Sequence, residues 1–166
     1  MFNLKTANED RLGVSLGFDQ QMVEFVGERM RTRDVREIQL ATGMDQTMVL
    51  QESLRVSWWK RMFYLERKRV IYPLAFGGIS THPEEEWIGI PWFLATPQIE
   101  EYPVFLMKQM KEAMALHSQR YGRMENYVHV ENEPSIKLLT HLGFTFEDPA
   151  PWGVQGALYR KFHWSK

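Results

Sequence analysis

The sequence predicts an α+β fold, one sheet of mixed strand direction with helices on both of its faces, and three observations carry that expectation. Segments of helical period and runs rich in aromatic and β-branched residues follow one another as helix, helix, β, β, β, helix, β, helix, β, β. Two of those runs, Trp58 to Glu66 and Val70 to Ser80, flank the short charged stretch Arg67, Lys68, Arg69 and read as an antiparallel hairpin. Near the end, Asn132 to Phe144 (NEPSIKLLTHLGF) combines a capped amphipathic helix with a glycine stop. Pro134 suits the first helical turn, Ile136, Leu138, Leu139 and Leu142 form an apolar stripe, and Gly143 ends the helix before Phe144 opens a strand.

The remaining elements follow in order. Residues 1 to 17 are a polar start with Gly13 and Gly17, expected as a strand or ordered arm. From Asp19 to Thr42 the apolar residues recur at helical spacing, with breaks near Gly27 and between Arg31 and Asp34, as two short helices or one bent one. Gly43 stops this segment, and Asp45 or Thr47 caps a further helix to Ser57. Gly77 and Gly78 are expected to mark a bulge in the hairpin. After the polar loop Thr81 to Glu86, Trp87 to Ala95 reads as a buried strand, followed by a helix from Pro97 or Pro103 to Tyr121 and a strand from Met124 to Val130. Asp148 to Gly156 is a Pro/Gly-rich loop before a last strand, Ala157 to Trp164.

At 166 residues, 44% of them hydrophobic and 25% charged, the chain is expected to form one domain over residues 1–166. It holds no run of eighteen apolar residues, no recognisable signal segment and no cysteine, which excludes disulfides and thiol catalysis and leads us to expect a soluble intracellular protein. A net charge of −1 gives no global field for a polyanion, so no sequence-specific nucleic-acid partner is expected. The cluster Arg29, Arg31, Arg33, Arg36 lies among acidic residues and is expected to form a solvated helix face laced with ion pairs.

The order of strand, asparagine, helix and Gly-Phe at Met124 to Phe144 resembles the second half of the acetyl-CoA-dependent N-acetyltransferases of the GNAT superfamily, whose pattern there is roughly N-x-x-A-x-x-L-Y-x-x-x-G-F. Ser135 stands in place of the small residue and Leu139 in place of the tyrosine. The resemblance implies a GNAT-type, mainly antiparallel twisted sheet with helices on both faces. Three pieces taken together, Arg29 to Gly43, Ile88 to Thr96 and Glu125 to Phe144, with the terminal YRKFHW, look like GNAT-like proteins of short-tailed bacteriophages, labelled internal virion proteins or phage acetyltransferases. That narrower resemblance implies phage virion or assembly proteins, or a host protein, as partners, and a location in the host cytoplasm during infection or in the virion.

In the GNAT pattern a Gly-rich turn after the strand equivalent to Ile88 to Ala95 cradles the CoA pyrophosphate with backbone amides. Here that position reads TPQIEEYPVF, with no glycine between Gly89 and Gly122, two prolines that remove donors, and Glu100 and Glu101 where phosphates would lie. Leu139 cannot act as the general acid that a tyrosine there supplies. What the resemblance leaves is a splay between Trp92 to Thr96 and Tyr127 to Val130, where main-chain groups of Phe93, Leu94 and Ala95 would hold a pantetheine arm and Asn132 and Ser135 would face the cofactor. Asparagine and serine serve equally as an ordinary helix cap.

Among five histidines, none pairs with another at metal-ligand spacing, and no metal is expected. His129 is the one beside the splay and the candidate base, although a satisfied sheet histidine reads the same way. Glu86, in the loop before the third strand, is a second candidate for deprotonating an amine. Trp152 and Trp164 suit interface anchors. Two functions stand open: a phage assembly or host-interaction protein on a GNAT fold with a degenerate acetyl-CoA site, or an active N-acetyltransferase acting on a protein or small-molecule amine.

Overall fold

A computed structural model of the chain describes residues 10–166; the first nine residues of the expected N-terminal strand or arm lie outside them. Strand β1 (Arg11–Ser15) is followed by helices α1 (Gln20–Glu28), α2 (Thr32–Thr42) and α3 (Gln46–Val56), then by strands β2 (Trp59–Arg67), β3 (Val70–Thr81) and β4 (Ile88–Ala95). A 3₁₀ turn (Pro97–Glu101) leads into helix α4 (Pro103–Arg120), so both prolines open a helical element. Strand β5 (Arg123–His129), helix α5 (Glu133–His141) and strands β6 (Thr145–Phe146), β7 (Ala150–Trp152) and β8 (Ala157–Ser165) complete the order.

The eight strands of the described residues form one sheet in the order β1-β2-β3-β4-β5-β8-β6, with β7 also on β8. Every pairing is antiparallel except β4 with β5. The short β7 falls inside Asp148 to Gly156, which was expected as plain loop. Its residues Ala150, Pro151 and Trp152 pair with Tyr159, Leu158 and Ala157, an edge position that tolerates the proline.

Local chemistry explains the boundaries. Asp19 accepts from the Met22 N–H to cap α1, and Asp45 accepts from the N–H groups of Thr47 and Met48 to cap α3. Gly43, at φ 67°, ends α2 in the left-handed conformation, its N–H donating to the Gln39 carbonyl. Lys68 and Arg69 both take positive φ (51° and 65°), the geometry of the two-residue hairpin turn that matches strand twist. The expected bulge is displaced: the register shifts between Phe63 and Tyr64, leaving Leu74 beside Pro73 as the unpaired residue. Gly77 and Gly78 pair regularly and are glycine for space instead, because a Cβ on Gly78 would stand 2.8 Å from the Trp92 ring and one on Gly77 3.2 Å from Phe93.

Helices α1 to α3 cover one face, where Val26, Leu50, Met62 and Phe76 form the core. On the other face α4 and α5 lie over Phe63, Ala95, Ile99, Val128 and Phe162. This second cover is thin, for His117 is the one buried residue of α4 and α5 has none. No helix among the described residues is long and apolar enough to cross a membrane.

Candidate active site

The parallel ladder between β4 and β5 holds only at Ile88 with Arg123 and Gly89 with Met124. Beyond it the strands diverge, and sheet geometry then demands partners for the main-chain groups lining the gap. Side chains supply most of them. Asn126 Nδ2 donates to the Pro91 carbonyl at 2.9 Å, and its Oδ1 accepts from the Tyr127 N–H at 2.8 Å. At the open end, the Arg31 N–H donates to the Ala95 carbonyl (2.8 Å) and Asp34 Oδ2 accepts from the Ala95 N–H (3.0 Å). Glu37 Oε1 accepts from the His129 N–H (2.9 Å) and from Asn132 Nδ2 (2.8 Å). Helix α2 thus bridges the mouth of the V with Asp34 and Glu37, one turn apart on a single face.

Between those ends lies Phe93. Strand alternation points its N–H and C=O away from β3 and into the gap, where the β4–β5 ladder does not reach. A cavity of about 610 Å³ passes through the same gap, mostly apolar in lining. On one side it runs as a trough between α4 and α5, past Leu106, Met110, Met114 and Leu139; on the other it opens toward α2 and α3, past Glu37, Trp92, Tyr127, Trp152 and Tyr159.

The sequence-derived candidates separate on this geometry. Phe93 and Leu94 line the cavity. The Ala95 N–H and C=O face the gap, so by alternation those of Phe93 face it too, whereas those of Leu94 turn to β3. The main chain of Ala95, expected to hold a cofactor arm, is engaged by Arg31 and Asp34 because the start of α2 abuts the end of β4. Asn132 is buried and engaged at both ends, capping Ser135 N–H at 3.3 Å and holding Glu37; Ser135 lines the cavity. His129 is also buried, but its Nδ1 accepts from the Glu131 N–H and its ring packs edge-on against Tyr159, while the cavity lining passes it by. Glu86 is exposed in the loop before β4, at the opposite end of that strand from the splay. Trp152 stacks on Tyr127 at 4.1 Å, and Trp164 packs against the core under α5.

In the arginine cluster Arg29 and Arg36 are exposed and ion-paired, as expected, whereas Arg31 departs from the expected solvated face. Arg31 is buried and grips Asp34 with two bonds, Nε to Oδ2 at 2.9 Å and Nη2 to Oδ1 at 3.0 Å. Glu100 does not stand alone at the start of α4 either: Arg33 pairs with it, and Arg31 Nη1 lies 3.8 Å away. Pro103 brings no N–H and Leu106 N–H donates to the Tyr102 carbonyl, so the free donors of this helix start are those of Val104 and Phe105.

Glu37, Asp34 and Arg31 are residues of this candidate site whose place in it sequence reasoning missed. Their signal was the three-residue spacing that puts Asp34 and Glu37 on one face of α2, with Arg31 at its N-cap. Burial pushes the Glu37 carboxyl up from its ordinary range, against the hydrogen bonds from Asn132 and the His129 N–H that pull it down. Tyr159, whose hydroxyl donates to the Glu37 carbonyl at 2.8 Å, is pushed up to about 12 by burial and then by the charge of Glu37, so it stays protonated. Among the described residues no group of His, Asp and Glu side chains is placed to hold a metal ion.

No protein-family model matches the chain, and neither does any curated protein sequence. Solved structures do match its architecture. Spermidine N-acetyltransferase from Vibrio cholerae, in complex with CoA and spermine, superposes with a TM-score of 0.62 at 12% identity, over 93% of this chain and 95% of that one. An acetyltransferase of the GNAT family from Streptococcus pneumoniae gives 0.58 at 13% identity, over 93% and 99%. A chain of the NatC complex bound to Gag peptide and CoA gives 0.68 at 12% identity, over 93% and 98%. The chain therefore has the GNAT acetyltransferase fold, a mixed sheet dominated by antiparallel pairs with helices on both faces.

Proposed function

We propose that the protein is an acetyl-CoA-dependent N-acetyltransferase. The observation that carries this reading is the splay of β4 from β5 opening on a cavity that crosses the sheet, a passage in which donor and acceptor can meet from opposite faces. The CoA complexes among the fold neighbours support it. The residues fit such a ligand. Phe93 has main-chain groups turned to the gap for an amide-bearing arm, the α4–α5 trough is apolar, and Arg31 and Arg33 bring positive charge to its mouth.

Bound acetyl-CoA would supply an activated thioester carbonyl. The chain's own part is to orient that carbonyl through Phe93, exclude water with the apolar trough, and present the amine from the α2–α3 side. As the C–N bond forms and the C–S bond breaks, an N–H proton of the amine leaves with the thiolate sulfur, which answers the lack of an acid at Leu139.

A calorimetric titration with acetyl-CoA and with CoA at near-physiological salt tests the reading. Saturable micromolar binding is expected; no heat up to millimolar ligand would remove it. The phage assembly role implied by the narrower resemblance gains no support from the anchors it would use, since Trp152 lines the cavity and Trp164 is packed inward.

A further inference from the structure

Glu37 is tied by one oxygen only. Both the His129 N–H and Asn132 Nδ2 donate to Oε1, and Oε2 has no hydrogen-bond partner among the described residues, while the side chain lines the cavity. Glu37 is half-buried, so Oε2 keeps an accessible face and is free to meet a cationic or protic group that enters the cavity. The two bonds on Oε1 also fix the side chain, so its free oxygen is held in position on a helix that is itself anchored to both splayed strands.

The chamber around it has a particular chemistry. Tyr127 and Trp152 stack at 4.1 Å with an interplanar angle of 12°, and Trp152 meets Tyr159 at 5.1 Å, which makes a continuous aromatic wall. Trp92 closes the opposite side over Gly78, where a side chain would collide with its ring, and its indole N–H is engaged by Ser57 Oγ at 2.7 Å. Ring faces attract cations, as Lys161 Nζ at 5.9 Å over the Tyr127 ring shows, and these rings line the same cavity as the unpartnered Glu37 oxygen.

Other charges facing Glu37 are already compensated. Arg31, at the N-cap of that helix, is bound to Asp34, Arg36 reaches Glu131 at 2.7 Å, Lys161 over the Tyr127 ring reaches Glu125 at 3.2 Å, and Tyr159 directs its hydroxyl to the Glu37 main chain. The neighbouring His129 ring accepts from the Glu131 N–H and does not line the cavity.

We propose that Glu37 is the catalytic base and charge anchor of an acceptor pocket on the α2–α3 side of the cavity, which selects an alkylammonium group over a neutral amine or alcohol by seating it between the Tyr127–Trp152–Tyr159 wall and Glu37 Oε2. The ammonium gives its proton to Oε2, and the freed nitrogen attacks the thioester on the far side of the gap, its second proton leaving with sulfur. The proposal rests on the acetyltransferase reading for that transfer step, but the ammonium pocket itself does not need CoA.

The test therefore measures the pocket first. Butylammonium and, as its neutral isostere, 1-butanol are titrated separately into ¹⁵N-labelled protein without CoA, and the indole N–H resonances of Trp92 and Trp152 are followed. Saturable shifts with butylammonium are expected, with at least tenfold weaker binding of 1-butanol and of butylammonium to Glu37→Gln, a variant whose amide oxygen still accepts from His129 and Asn132. Trp152→Leu, at an exposed edge position, is the second variant and is expected to weaken butylammonium several-fold while leaving the alcohol unchanged. With acetyl-CoA present, the rate of acetyl transfer should fall as pH drops and Glu37 protonates, and Glu37→Gln should lose that limb. Equal binding of butylammonium and butanol, or undiminished binding in both variants, would overturn the pocket. CoA binding without ammonium binding refutes the pocket alone; ammonium binding without CoA binding refutes the acetyltransferase reading alone.

Discussion

His117 sits 3% exposed on α4, its ring edge-on to Trp59 at 4.6 Å, and it is held neutral. Burial, with the nearby charge of Arg61, lowers its pKa from 6.5 to about 4. The unfolded chain takes up that proton at the higher pH, so folding stability is lost as pH falls from 6.5 toward 4. Between about pH 7 and about pH 5 the protein should lose roughly 1–2 kcal/mol more than a His117→Phe variant, by urea unfolding at each pH; equal losses would show the histidine to be silent. Gly153 offers a second residue-level test. It has φ 79°, and a Cβ there would stand 2.6 Å from Ala41 Cα, whereas Gly156, at φ 63°, has nothing within 4 Å. Gly153→Ala should cost ~2–4 kcal/mol and Gly156→Ala ~1 kcal/mol in thermal unfolding, the difference being the collision with α2. Neither effect is visible in the sequence, where a histidine on an apolar helix stripe and two loop glycines carry no sign of their neighbours.

The element that organises the site is α2. Its period and the glycine that ends it were legible in the residues, as were the caps of α3 and α5. The partners of its charges were not. Asp34 meets Ala95 across 61 positions and Glu37 meets His129 across 92, and nothing local distinguishes a charged face buried by such contacts from one left in water. The displaced bulge has the same origin, since Gly77 and Gly78 answer to rings on β4 and β2. The start of α4 yields a prediction at this scale. Glu100 competes with any incoming phosphate for Arg33 and Arg31, so Glu100→Gln should tighten CoA binding by roughly two- to fivefold, the worth of an exposed ion pair. Calorimetry on the variant decides it, and weaker binding would mean that the carboxylate helps to hold the arginines in place.

Across the whole molecule, strand succession made the sheet legible, because hairpins and short connections leave few topologies. The splay could be expected only through the family resemblance, and the short β7 stayed hidden because three exposed residues rich in proline and glycine neighbours resemble loop. What no local pattern shows is how little apolar surface the α4–α5 layer conceals: His117 alone is buried on one helix, and no residue on the other. The facing stripes of Met110, Met114, Leu138, Leu139 and Leu142 stay half-covered around the trough. Water over those side chains is released only when something fills the space between them, so occupation of the trough should carry a pronounced negative heat-capacity change, beyond what contacts to phosphate alone would give. A ligand in that trough would complete the hydrophobic layering of this face, and its binding would be in thermodynamic character a last step of folding.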